Sequence, residues 1–84
     1  MNDHEIDEAI LAFLSSANGR WRKVAMVISR VVNAMGKDLP EGNECYDLVA
    51  RRIEALVKEG RLVAQGNIQN WRFSEVRRPN FDVN

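Results

Sequence analysis

The fold of this chain is decided by one stretch of sequence, Val49-Ala50-Arg51-Arg52-Ile53-Glu54-Ala55-Leu56-Val57-Lys58-Glu59-Gly60, which runs directly into Arg61-Leu62-Val63-Ala64-Gln65. Apolar residues recur at helical spacing up to Gly60, a residue suited to a left-handed helix cap. From Arg61 the period changes to two, which is the period of a β-strand. A polar turn over residues 66–70 and a returning segment with Trp71 and Phe73 follow. The stretch therefore predicts a helix that leads at once into a β-hairpin.

Two more helices are predicted upstream of this stretch. The first lies near residues 4 to 16, with Asp3 as its N-cap and Asn18-Gly19 as its stop. The second ends at Gly36. One side of this second helix is apolar through Trp21, Val24, Ala25, Ile28, Val31, Val32 and Met35.

The helix of the deciding stretch begins after a loop. Pro40, Gly42 and Asn43 give residues 37–43 the composition of a loop, and Asn43 can cap the helix that follows. We expect this third helix to run to about Glu59. Its core face is predicted to consist of Tyr46, Val49, Ala50, Ile53, Leu56 and Val57.

Three helices followed by a hairpin resemble a winged helix-turn-helix domain. The pattern Val49-x-Arg51-Arg52-Ile53-x-x-Leu56-x-x-x-Gly60-x-Leu62 is similar to the recognition helix and wing entry of bacterial winged-helix regulators, and the resemblance extends over roughly residues 5 to 75. It implies an α+β fold, mainly α, in which a two-stranded β-hairpin wing follows the three helices. We expect one domain over residues 1–76 and a C-terminal tail over 77–84 that is partly ordered at best.

A second resemblance is narrower. Two segments together are similar to a small bacterial domain family of unknown function: Trp21-Arg22-Lys23-Val24-Ala25 and Gly66-Asn67-Ile68-Gln69-Asn70-Trp71-Arg72-Phe73-Ser74-Glu75-Val76-Arg77. This family supplies no catalytic or binding residues that can be carried over to the chain.

Length and composition indicate a single small globular domain. The 84 residues are 45% hydrophobic and 29% charged, with twelve acidic and twelve basic residues. A formal net charge of zero removes the bulk electrostatic argument for nucleic-acid binding, so any basic surface must come from the second helix and the C-terminal third. The acidic N-terminal segment is unlike a secretory signal, and no apolar run is long enough to cross a bilayer, which favours a cytoplasmic protein without a membrane segment.

Few residues suit catalysis or metal binding. His4 is the single histidine and Cys45 the single cysteine, so neither a histidine-centred catalytic group nor a multi-cysteine metal site is expected. The sequence also has no glycine-rich phosphate-binding motif. We therefore predict a binding protein that is not an enzyme and uses no cofactor or metal.

The candidate binding residues fit two classes of function, and the first is a DNA-binding or transcription-associated module. On the outer face of the third helix Arg51 is the expected base reader and Lys58 lies on the same face, while Arg52 of this helix is a further expected contact. The hairpin would add phosphate contacts through Arg61, Arg72, Arg77 and Arg78. The competing interpretation of these charges is an ordinary solvated helix face and a charged hairpin edge.

The second class is a protein-interaction module, such as an adaptor or a neutralising partner of another protein. If the third helix entered a DNA groove, Asp47 and the nearby Glu44 and Glu41 would face the phosphates and repel them. Leu48 on the same face, Met26 on the second helix and Val63 on the hairpin suit a protein contact better. The expected partner is therefore DNA or another protein, with no small-molecule substrate, and the sequence does not indicate an oligomeric state.

Overall fold

The computed structural model describes residues 3–17, 19–36, 39, 42, 44–66 and 74–79. These residues form an α+β fold, mainly α, with three helices and one three-stranded antiparallel sheet. The elements in chain order are α1 (Asp3–Ser15), β1 (Arg22–Lys23), α2 (Val24–Met35), α3 (Glu44–Lys58), β2 (Val63–Gln65) and β3 (Glu75–Arg77). The predicted number and order of the helices are confirmed.

The three helices pack against one another through their apolar faces. Each is amphipathic, and its buried residues recur three or four positions apart, as a helix with one core-facing side requires. Fully burying one such aliphatic side chain contributes about 1.5–3 kcal/mol before the entropy cost of ordering it. The helical part of the core consists of Ile6, Ile10, Leu14, Val24, Val27, Ile28, Val31, Cys45, Val49, Ile53 and Leu56.

The sheet closes the remaining side of the core, with β3 between β1 and β2. Val76 at the centre of β3 has no exposed surface and lies opposite both Arg22 of β1 and Ala64 of β2. The backbone N–H of Val24 donates to the carbonyl oxygen of Ser74 at 3.0 Å. This bond ties the start of α2 to the strand that follows α3.

The sheet differs from the predicted two-stranded hairpin because β1 adds a third strand. The second helix begins at Val24 instead of including Trp21, since Lys23 has the extended backbone angles φ −63° and ψ 136° and Arg22–Lys23 pairs with β3. The returning strand is observed at Glu75–Arg77, whereas Trp71 and Phe73 lie outside the described residues. The predicted left-handed cap at Gly60 is confirmed by its φ of 81°.

Two aromatic residues assigned to the core from the sequence are not part of it. Tyr46 is 42% exposed, because the inner face of α3 is set by Cys45, Val49 and the residues that continue their spacing. Trp21 is half-buried and does not belong to the core cluster. Its ring is covered instead by Arg77, whose guanidinium carbon lies 4.8 Å from the ring centroid.

Candidate interaction surface

The outer face of α3 carries a stripe of four residues that lines a shallow pocket of about 280 Å³. Among the described residues the pocket is lined by Glu44, Asp47, Leu48 and Arg51, which we call the α3 stripe. Their spacing of three, four and seven positions places them side by side on one face of a helix. The opposite face of α3 is buried in the core, so packing of the helix fixes the direction in which the stripe points.

The α3 stripe has an apolar centre between charges of opposite sign. Glu44 and Asp47 are exposed in the first turn of α3, Leu48 is half-buried, and Arg51 is exposed one turn further on. Within the described part of the chain none of the three charged residues belongs to an ion pair. The two carboxylates lie at the positive end of the α3 dipole, where negative charge stabilises the helix. They therefore have a structural role whether or not a partner binds.

Arg52, predicted as a partner contact, is instead engaged with α1. Its Nε and Nη2 donate to the two carboxylate oxygens of Asp7 at 2.9 and 2.8 Å, and Nη1 donates to Asp3 at 3.4 Å. The hydrogen bond to Asp7 raises the pKa of Arg52 above its ordinary value. With the Arg52 side chain 20% exposed and that of Asp7 10% exposed, this pair joins α3 to α1 and does not form part of an open surface.

The other predicted contact residues lie on separate elements. Lys58 at the end of α3 is exposed and lies 3.9 Å from Glu54, and Arg61 is exposed between α3 and β2. Met26 is exposed on the first turn of α2. Arg72 lies outside the described residues. Of the predicted set, the structure brings only Leu48 and Arg51 together in one pocket.

Arg77 lies at the end of β3 that is remote from the 66–74 connection, at the base of the sheet. Its Nη1 donates to the carbonyl oxygen of Gly19 at 3.4 Å, and Nη1 of Arg78 donates to Oγ of Ser15 at 2.5 Å. The last turn of α1 has no basic residue of its own, so the two arginines supply positive charge to the C-terminal end of α1 from another element. Arg77 thus links β3 to the turn after α1.

The sequence places basic residues in the second helix and in the C-terminal third but does not predict that these two segments meet. The pairing of β1 with β3 brings residues 20–23 next to residues 77–78, although 54 positions separate Arg22 from its partner Val76. A two-residue strand leaves no alternating pattern in the sequence, so only the pairing itself reveals this neighbourhood.

Comparison with curated proteins shows a bacterial relative. The chain is 35% identical over 77 residues to a protein of Escherichia coli (strain K12) described as uncharacterized protein YjeN, an alignment that covers 89% of this chain and 72% of the relative. No profile of a known protein family matches the chain, and no solved structure is significantly similar to it. As to membranes, none of the helices in the described ranges combines the length and the apolar character needed to cross one.

Proposed function

We propose that this chain, which belongs to the same family as the Escherichia coli protein YjeN, is a non-catalytic protein-interaction module on a winged-helix scaffold. It acts as an adaptor or a neutralising partner of another protein. The observation that carries this proposal is the α3 stripe, in which half-buried Leu48 lies between the exposed carboxylates of Glu44 and Asp47 and the exposed guanidinium of Arg51. A pocket with an apolar centre and a charged rim has the anatomy of a protein contact.

The arrangement of the sheet supports the winged-helix scaffold. The order helix, strand, helix, helix, strand, strand brings a hairpin directly after α3, and β1 fixes that hairpin to the start of α2. The hairpin is therefore joined to the helices through β1, and the outer face of α3 is left available for recognition. The fold alone does not distinguish between DNA and protein as the partner, so the choice is made from the side chains on α3.

The side chains of α3 fit a protein partner better than DNA. Glu44 and Asp47 lie at the N-terminal end of α3, where a recognition helix meets phosphates and base edges, and neither has an ion-pair partner in the described part of the chain to offset repulsion. Leu48 offers no hydrogen bond to a base edge. Arg52 is held by Asp7, which removes one of the bases on which a DNA-binding function would rely.

DNA binding is the second candidate function, and one observation favours it. Arg51 and Lys58 on α3 and Arg61 at its exit toward β2 are all exposed cations, although Lys58 lies 3.9 Å from Glu54. Contacts from these cations to phosphates would give an affinity that falls steeply with salt.

A capture experiment with matched charge reversals tests the proposal. The wild-type chain, Arg51→Glu and Arg30→Glu are immobilised and exposed to a native lysate of the source organism. Arg30 is exposed on α2 and undergoes the same change in charge outside the α3 stripe. A protein retained by the wild type and by Arg30→Glu, lost with Arg51→Glu, and bound again after purification supports the proposal.

Two outcomes count against it. A set of retained proteins that is identical for all three chains would remove the α3 stripe as the contact. In a parallel titration with random duplex DNA, salt-sensitive binding that disappears in Arg51→Glu but not in Arg30→Glu would favour the second candidate.

A further inference from the structure

The charge of the α3 stripe changes sign from one end to the other. Glu44 precedes Leu48 by four positions, and Arg51 follows Leu48 by three, so each lies about one helical turn from the leucine. Together with Asp47 these residues lie within an arc of about 100° on the helix surface. The stripe is therefore acidic at its N-terminal end, apolar near its middle and basic at its C-terminal end.

This pattern is complementary to itself when two copies of α3 lie antiparallel. A two-fold axis midway between Glu44 and Arg51 places Glu44 of one copy opposite Arg51 of the other, and symmetry repeats the pair on the far side of the axis. Leu48 lies close to that midpoint, so the leucines of the two copies meet beside the axis. A parallel pair would instead place Glu44 against Glu44 and Arg51 against Arg51, which charge repulsion disfavours.

The side chains of the α3 stripe are accessible for such a contact. Glu44 and Arg51 are exposed, and neither belongs to an ion pair within the described part of the chain, so pairing between copies breaks no internal one. Further along α3, by contrast, Lys58 lies 3.9 Å from Glu54 of its own helix. Leu48 is half-buried in the shallow pocket, and a leucine from the second copy would remove its remaining surface from water.

Two features keep this association weak. Asp47 lies on the opposite flank of the stripe from Leu48, so the two-fold axis brings the exposed Asp47 carboxylates of the two copies toward each other at the rim. The contact is also confined to one face of a helix of 15 residues, roughly 22 Å long, which corresponds to the small interfaces of transient complexes. The dimer is therefore reversible and depends on concentration.

We infer that the α3 stripe binds a second copy of this chain through an antiparallel contact between the two α3 helices. The dimer covers the surface that the proposed function assigns to another protein, so the second copy and that protein compete for it. Only this competition rests on the proposed function, because self-association is a property of the isolated chain. By mass action, a partner that binds more tightly displaces the second copy, and dilution also frees the stripe.

Sedimentation equilibrium of the purified chain, over a range of roughly 10 μM to 1 mM, measures the self-association. We expect a reversible equilibrium between monomer and dimer for the wild type. Glu44→Lys and Arg51→Glu each place like charges opposite one another, so either change should weaken the dimer by about tenfold or more. The matched control is Arg30→Glu on the exposed side of α2, which should leave the equilibrium unchanged.

A charge exchange identifies the second copy as the occupant. Glu44→Lys combined with Arg51→Glu in one chain swaps both charges in both copies, so the double variant should dimerise again. A different partner protein keeps its own charges, and the same double variant would not recover its binding. An equimolar mixture of the two single variants should likewise form a heterodimer, although each variant alone associates poorly.

Asp47→Asn provides a second test without a charge reversal. It removes the repulsion between the two Asp47 carboxylates and should strengthen the dimer severalfold, whereas it would weaken binding of a basic partner. Circular dichroism and thermal melting of each variant confirm that its fold is kept, since all the altered side chains are exposed.

Three results would overturn the inference: a wild type that stays monomeric throughout the concentration range, equal weakening by Arg51→Glu and Arg30→Glu, or a folded double variant that does not dimerise again. None of these results bears on the capture of another protein by the α3 stripe. Conversely, a dimer with the expected responses to charge, together with a capture experiment in which the three chains behave alike, would contradict the proposed function alone.

Discussion

Arg52 of α3 and Asp7 of α1 form a two-pronged ion pair across 45 positions of sequence, with Nε–Oδ1 and Nη2–Oδ2 distances of 2.9 and 2.8 Å. The pair joins α3 to α1 beside the core, whereas the rotation of α3 is set by the face that it buries in that core. A residue predicted to touch a partner therefore links two helices and does not belong to the surface that we propose does so.

Asp7→Ala should lower the free energy of unfolding by about 2 kcal/mol, because it leaves a largely buried guanidinium without its main acceptor. Urea denaturation measures the loss. Glu8→Ala is the control, since Glu8 is exposed and pairs with His4 at the surface, and it should change stability by less than about 0.5 kcal/mol. Equal effects of the two substitutions would show that the Arg52 pair contributes no more than a surface ion pair.

The raised pKa of Arg52 determines the sign of the pH dependence of its contribution to stability. A base whose folded-state pKa exceeds its unfolded value stabilises the protein at every pH below the unfolded pKa and loses that contribution as the pH rises through the folded value. We therefore expect the stability difference between wild type and Asp7→Ala to stay constant when alkaline titration is followed from pH 8 to pH 10. A difference that declines over that interval would contradict the assignment.

Removing the Arg77 side chain should expose Trp21 to water. Arg77→Ala, made in a Trp71→Phe background so that Trp21 is the only fluorophore of its kind, should shift the tryptophan emission to the red and cost roughly 1 kcal/mol of stability. Arg61→Ala in the same background is the control, because Arg61 is exposed between α3 and β2. An emission maximum that is the same in both variants would argue against the stacked arrangement.

Tyr46 and Ile53, both on α3, should respond differently to truncation. Ile53 has no exposed surface, so Ile53→Ala removes core contacts and should cost about 2–5 kcal/mol. Tyr46→Ala should change the free energy of unfolding by less than about 1 kcal/mol, since the ring is 42% exposed. Chemical denaturation distinguishes the two, and a loss of several kcal/mol for Tyr46→Ala would restore the core position that its spacing suggested.

Gly60→Ala should destabilise the protein through its backbone alone. Gly60 has a φ of 81°, and a methyl group added there would meet nothing within 4 Å, so the cost is that of a left-handed conformation, about 1 kcal/mol. For a domain of this size that corresponds to a melting temperature lower by roughly 4–8 °C. Glu59→Ala, one position earlier and also exposed, should leave the melting temperature nearly unchanged.

The helices could be predicted from the sequence because each has a continuous amphipathic period, and Gly36 and Gly60 mark the ends of α2 and α3. The strand β1 could not, since two residues have no period and the extended start of α2 lacks a capping side chain. The assignment of Tyr46 failed at the first turn of α3, where spacing alone does not separate the core face from its neighbour.

The α3 stripe was predicted in part. Helical geometry alone put Asp47, Leu48 and Arg51 on the outer face, and the structure adds that they line one pocket together with Glu44. The sequence did not indicate that Arg52 is engaged by Asp7 and so cannot serve as a partner contact. Nothing in the spacing of the two residues predicts that their helices bring them together.

The two-residue length of β1 makes the protein sensitive to insertions and deletions in a short segment. Arg22 shares the side of the sheet on which Val76 faces the core, and Lys23 shares the opposite side with Glu75. Removing one residue between Gly19 and Arg22 would move the strand by one position and exchange the two sides. Arg77 would then lose its contact with the Trp21 ring, and Lys23 would face the core. We therefore expect that segment to tolerate changes in residue type far better than changes in length.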